Sequence, residues 1–138
     1  DHLSLSAHIM KTSAKCFSMI RSLRKILPAL PPEFRPLVVQ ATVCSRLDYC
    51  NALYLGSPDY AFRRLQRVQS ATAKAALGLP RRASSSGALA KLHWLSVVER
   101  VLFKSLCLVY KAIIIWVLFF FNHALLDSPR PDLYVRPF

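Results

Sequence analysis

Apolar residues return every three or four positions along most of this chain, and no stretch shows the period of two expected of a half-buried strand. From about Ser6 to Leu27, Ile9, Cys16, Ile20, Leu23 and Leu27 share one helical face, while Lys11, Lys15 and Lys25 fall on the other. Pro28, Pro31 and Pro32 end that helix, because proline has no amide hydrogen and clashes with the preceding turn. A second helix is expected from about Glu33 to Leu55, with Leu37, Ala41, Cys44, Leu47 and Asn51 inward, Pro36 in the first turn and Gly56 as the stop. A third starts with Ser57 as cap, Pro58 at the first helical position and Asp59 at the positive end of the dipole, and runs to about Leu77 before Gly78 and Pro80. On it, Ala61, Leu65, Val68, Thr72 and Ala75 or Ala76 share a face, with Arg63, Arg67 and Lys74 nearly opposite.

The stretch "PRRASSSG", residues 80 to 87, reads as a loop carrying Arg81 and Arg82, and "ALAKLHWL" follows as a short apolar piece. Ser96 and Glu99 form a capping-box pattern, since serine oxygen and glutamate can satisfy each other's amides, and a fourth helix continues from Val97 through at least Tyr110. Residues 112 to 121, "AIIIWVLFFF", are apolar without interruption. Extended back across Lys111 and Lys104, residues 101 to 121 make about 21 positions, near bilayer length, although each lysine costs roughly 2.5 to 3.5 kcal/mol at a membrane centre. A buried or aggregation-prone helix extension is the leading expectation there. The expected fold is all-α, a small bundle of about four helices with a hydrophobic C-terminal helix extension.

Composition sharpens this. A chain of 138 residues with 54% hydrophobic content can bury a core and is not disordered over most of its length. Nineteen Lys and Arg against seven Asp and Glu give +12, which calls for a polyanionic partner, nucleic acid ahead of an anionic membrane surface. Cysteines at 16, 44, 50 and 107 have no C-x-x-C spacing and no histidine at ligand distance, so no metal site or disulfide framework is expected. They read as reduced core thiols of a nuclear or cytoplasmic protein. Residues 1 to 9 lack the charged and apolar regions of a signal peptide, and the absence of an initiator Met suggests a fragment or processed piece.

The run "LPPEFRPLVVQATVCSRLDYCNALYLGSPDYAFRRLQRVQSATAKAALGLPRR", followed by "LAKLHWLSVVERVLFKSLCLVYKA", resembles the region after the palm in reverse transcriptases of non-LTR, LINE-type retrotransposons of the jockey-like and chicken-repeat-like groups. The likeness spans about residues 4 to 112, with "SRLDYCNALYLG", "RLQRVQ", "LHWL" and "VYKA" in the family's order. It implies a thumb-like helical domain over residues 1 to 112, part of a larger RNA-directed DNA polymerase, that grips template-primer nucleic acid. The expected partners are then RNA or an RNA–DNA duplex and the palm domain of the same polyprotein. The family usually has proline where Ser96 stands, and a polar, glycine-containing stretch where "IIIWVLFFFNHALL" follows Ala112, so residues 113 to 138 inherit no role from it.

Two-metal polymerisation needs closely placed carboxylates on Mg²⁺, and the seven acids here are scattered singly, so no catalytic residue and no cofactor is expected, Mg²⁺ belonging to the parent polymerase. No small-molecule substrate is expected either. Asp48, grouped with Tyr49 and Asn51, reads as structural, accepting hydrogen bonds from His93 or Trp94 of "LHW". His93 and Trp94 themselves are expected to pack the third helix against the fourth. Phosphate contacts fall to Arg63, Arg67, Lys74, Arg81 and Arg82. Two other readings remain: a small basic protein anchored in a membrane by residues 101 to 121, and a relic with no selected function.

Overall fold

The computed structural model describes the backbone of residues 5–126 and the side chains of residues 5–123. Every regular element among them is helical, so the fold is all-α. The elements are α1 (Leu5–Ile26), α2 (Arg35–Val39), α3 (Ser45–Asp48), α4 (Asp59–Ala76), α5 (Ser85–Lys91) and α6 (Val97–Leu126). The chain divides into two compact units, Asp1–Ser105 and Leu106–Phe138. The Pro-containing tail read beyond Leu126 lies outside the described residues.

In the first unit α4 is the central rod. Its Ala61, Leu65, Val68, Thr72, Ala75 and Ala76 are buried, matching the inward face expected of it, and α1 meets that face with Ile9, Cys16 and Ile20. Burying a side chain of the Leu or Ile kind contributes about 1.5 to 3 kcal/mol, and the close spacing of small Ala residues on α4 lets its neighbours approach. Val97 and Val101 from the start of α6 complete the core.

The second helix is not the single rod the spacing predicts. Between α2 and α3 the chain widens into a π-helical turn, Gln40–Cys44, where Thr42 Oγ1 donates to the Val38 carbonyl (2.7 Å) and Ser45 Oγ to that of Ala41 (2.7 Å). Such back-bonds compete with the regular ladder and bend helices. The extra residue rotates the inward face, so Val39 and Val43 are buried while Leu37 and Ala41 are exposed. The helix then ends at Asp48 rather than running to Leu55, because Cys50 takes a left-handed conformation (φ 52°). Asn51–Tyr54 is a 3₁₀ turn with Asn51 and Tyr54 buried, and three-residue spacing suits that turn as well as it suits an α-helix.

Two further boundaries differ from expectation. Ser57 does not cap α4; the cap position is Pro58, whose extended backbone (ψ 153°) starts the helix one residue later, while the Ser57 amide donates back to Tyr54 (2.9 Å). The segment expected as a loop up to Gly87 is already helical from Ser85, since Ser84 Oγ accepts from the Gly87 amide (3.4 Å) and caps α5. The capping box forms as the pattern predicts: the Ser96 amide donates to Glu99 Oε2 (2.8 Å) and the Glu99 amide to Ser96 Oγ (3.4 Å).

In the second unit the helix is exposed from Ala112 to His123, so of the two expectations for this extension, buried or aggregation-prone, burial does not hold. Trp116 and Phe120, four residues apart on the helix, stack with ring centroids 5.7 Å apart.

Candidate nucleic-acid interface

A groove of about 930 Å³ runs between α1 and α4. Its apolar floor comes from Ala14, Phe17 and Ile20 of α1 and Ala71 of α4. Along its walls stand Arg21 and Arg24 from α1, and Arg63, Arg64, Arg67 and Lys74 from α4, with Arg81 arriving from the connection to α5. The spacing explains the convergence: Arg21 and Arg24 are three apart, and Arg63 and Arg67 four apart, so each pair shares a helix face. Lys74 Nζ donates to the Arg81 carbonyl (3.1 Å), which ties the loop to the groove's rim.

Among the described residues no aspartate or glutamate lines this groove. Like charges placed at helical neighbour spacing repel by a few tenths of a kcal/mol per pair. Seven cationic side chains lining one groove, with no carboxylate beside them among the described residues, are therefore an unfavourable arrangement that a polyanion would offset. Guanidinium groups suit phosphate in particular, because their planar fork donates two parallel hydrogen bonds.

Of the residues read from sequence as phosphate contacts, Arg63, Arg67, Lys74 and Arg81 line the groove, whereas Arg82 is exposed and outside its lining. Arg21, Arg24 and Arg64 were missed. The signal was present as two arginines three apart beside Phe17, but it becomes meaningful only when α1 lies against α4.

The Asp48 carboxylate is met by the Arg100 guanidinium, not by His93 or Trp94. Asn51 Nδ2 donates to Asp48 Oδ1 (3.3 Å) and Lys104 Nζ to the Asp48 carbonyl (3.3 Å). Burial pushes the Asp48 carboxyl above its ordinary pKa, while the Arg100 and Lys104 charges pull it back. The cluster ties α3 to the start of α6 and lies apart from the groove lining. Tyr49, expected to belong to it, stands in solvent at 74% exposure.

His93 and Trp94 terminate α5. The Trp94 amide donates to the Leu89 carbonyl (3.0 Å) and the His93 amide to that of Ala90 (3.1 Å), with His93 left-handed (φ 53°), a Schellman stop in which histidine takes glycine's usual place. Trp94 packs on the core while His93 is exposed, so only Trp94 has the packing role expected of both. The glutamines of "RLQRVQ" hold the next segment: Gln69 Nε2 donates to the Leu95 carbonyl (2.7 Å), and Gln66 Oε1 accepts from the Val97 amide (2.9 Å).

The thiols are not all core groups. Cys16 and Cys44 are buried, but Cys50 is exposed and Cys107 half-buried. Burial raises the pKa of both buried thiols, that of Cys44 to about 11. Among the described residues no group of three or more His, Cys, Asp or Glu side chains is placed to hold a metal ion.

Fold and groove together define a small all-α unit with a cationic surface channel. The chain matches no family model, no curated protein and no solved structure.

Proposed function

We propose that the α1–α4 groove binds the sugar-phosphate backbone of RNA or an RNA–DNA duplex, and that the first unit is a non-catalytic, thumb-like element of a retrotransposon RNA-directed DNA polymerase. The observation that carries the binding reading is the groove itself, with arginines from two helices and a loop and no acid in its lining among the described residues. The likeness of residues 4 to 112 to the post-palm region of LINE-type enzymes supports the polymerase context. In that context the palm is supplied by the same polyprotein, the setting is nuclear or cytoplasmic, and no small molecule is turned over.

Phosphate binding releases condensed counterions, so affinity falls steeply with salt. The test is the affinity of the whole chain for an RNA–DNA hybrid as ionic strength rises. Binding should weaken linearly on logarithmic axes, and Arg63→Ala with Arg67→Ala should flatten the slope by about two, near one for each phosphate left unneutralised. An affinity indifferent to salt, or a double variant that binds like the parent, would remove the proposal.

A further inference from the structure

The second unit presents a surface of another kind, and from it we propose that the part of α6 from Leu106 to Leu126 is a single bilayer-spanning anchor. Within Val97–His123, 27 residues long, the most apolar stretch has a mean hydropathy of 2.1 and only 6% of it is buried. The core helix of a soluble protein is mostly covered, and beyond Val101 this helix is not.

Exposure on every side identifies the occupant. Trp116 (66%), Phe119 (69%), Phe120 (61%) and Phe121 (64%) are all bare, and successive residues lie about 100° apart around the axis. A partner protein or a second copy covers one stripe of a helix, whereas lipid covers the whole circumference. The helix also satisfies its own backbone, as a span in hydrocarbon requires. From Leu106 to Leu126 the rise of about 1.5 Å per residue gives roughly 31 Å, against a hydrocarbon core of about 30 Å.

Charge fits the same occupant. No acidic residue stands between Glu99 and Asp127. Lys104 and Lys111 lie toward the N-terminal end, and helical side chains tilt that way, so the Lys111 ammonium can snorkel to anionic headgroups beside Tyr110. Beyond the helix, Arg130 and Arg136 are balanced by Asp127 and Asp132. The basic flank therefore marks the N-terminal side as cytoplasmic.

The experiment is density flotation of the full chain with phosphatidylcholine vesicles, with and without phosphatidylserine, after an alkaline carbonate wash. The expected result is carbonate-resistant flotation on phosphatidylcholine alone, and loss of the floating fraction in the double variant Ile115→Asp, Phe119→Asp. The groove is a separate site, so that variant should keep its affinity for an RNA–DNA hybrid, and Arg63→Ala with Arg67→Ala should still float. A soluble monomer or oligomer without detergent, flotation that needs phosphatidylserine and is released by salt, a dense pellet, or an Asp variant that floats like the parent would each overturn the anchor.

Discussion

Asp48 and Arg100 join residues 52 positions apart, and their side chains are 29% and 22% exposed, between a surface ion pair and a buried one. Removing either partner leaves the other partly desolvated without its counter-charge. Asp48→Ala and Arg100→Ala should each destabilise by about 1 to 2 kcal/mol. The double variant should lose less than the sum by about 1 kcal/mol, read by chemical denaturation. Strict additivity would show that the two do not interact. At the same scale, a thiol reagent should modify Cys50 in the native protein, while Cys16 and Cys44, buried and with raised pKa values, should react only as fast as the chain opens. Rapid labelling of Cys44 would contradict its burial. That Asp48 is structural could be read from its place in an apolar helix pattern. Its partner could not, because Arg100 reaches it only through the way α6 packs across the end of α3.

The helix ends carry predictions of their own. Gly78 (φ 65°) closes α4 in a Schellman turn, with the Leu79 amide on the Lys74 carbonyl (2.8 Å) and its own amide on that of Ala75 (3.1 Å). A β-carbon at Gly78 would stand 3.4 Å from Arg35 Nη1 in a conformation that L-residues avoid, so Gly78→Ala should lower stability by about 1 kcal/mol. His93 occupies the equivalent position after α5 and bears that penalty already. His93→Gly should therefore stabilise by up to about 1 kcal/mol, and a loss on thermal unfolding would show that its ring matters. Glu99 has its pKa lowered by hydrogen bonds from the Ser96 backbone and side chain, so the folded state holds its proton less tightly than the unfolded one. Its contribution is thus present above the ordinary glutamate pKa and fades as pH falls through the lowered value. Amide exchange at the start of α6 should quicken over that acid range, and Glu99→Gln should abolish the pH step. The capping box and the Gly78 stop were visible in sequence because each is a local pattern. The π-helical turn was not, since apolar spacing alone does not register one inserted residue, and Cys50 is a residue type that rarely takes positive φ.

On the scale of the whole chain, a net charge of +12 favours polyanionic partners in general and says nothing of where one would bind. The cationic stripe of α4 was legible from its own periodicity, and the all-α fold from the absence of any strand pattern. The α1 half of the groove was not, because Arg21 and Arg24 count as ordinary surface residues until tertiary packing sets them opposite Arg63 and Arg67. The proposed binding depends on this two-helix groove, and one matched comparison tests it directly. Arg21→Ala with Arg24→Ala removes two charges from the groove side of α1, and Lys11→Ala with Lys15→Ala removes two from exposed positions outside the groove lining. Measured against an RNA–DNA hybrid over a salt series, the arginine pair should weaken binding and flatten the salt slope by about two, and the lysine pair should change both far less. Equal losses from the two pairs would mean that the chain attracts nucleic acid by its overall charge and that the groove is not the site.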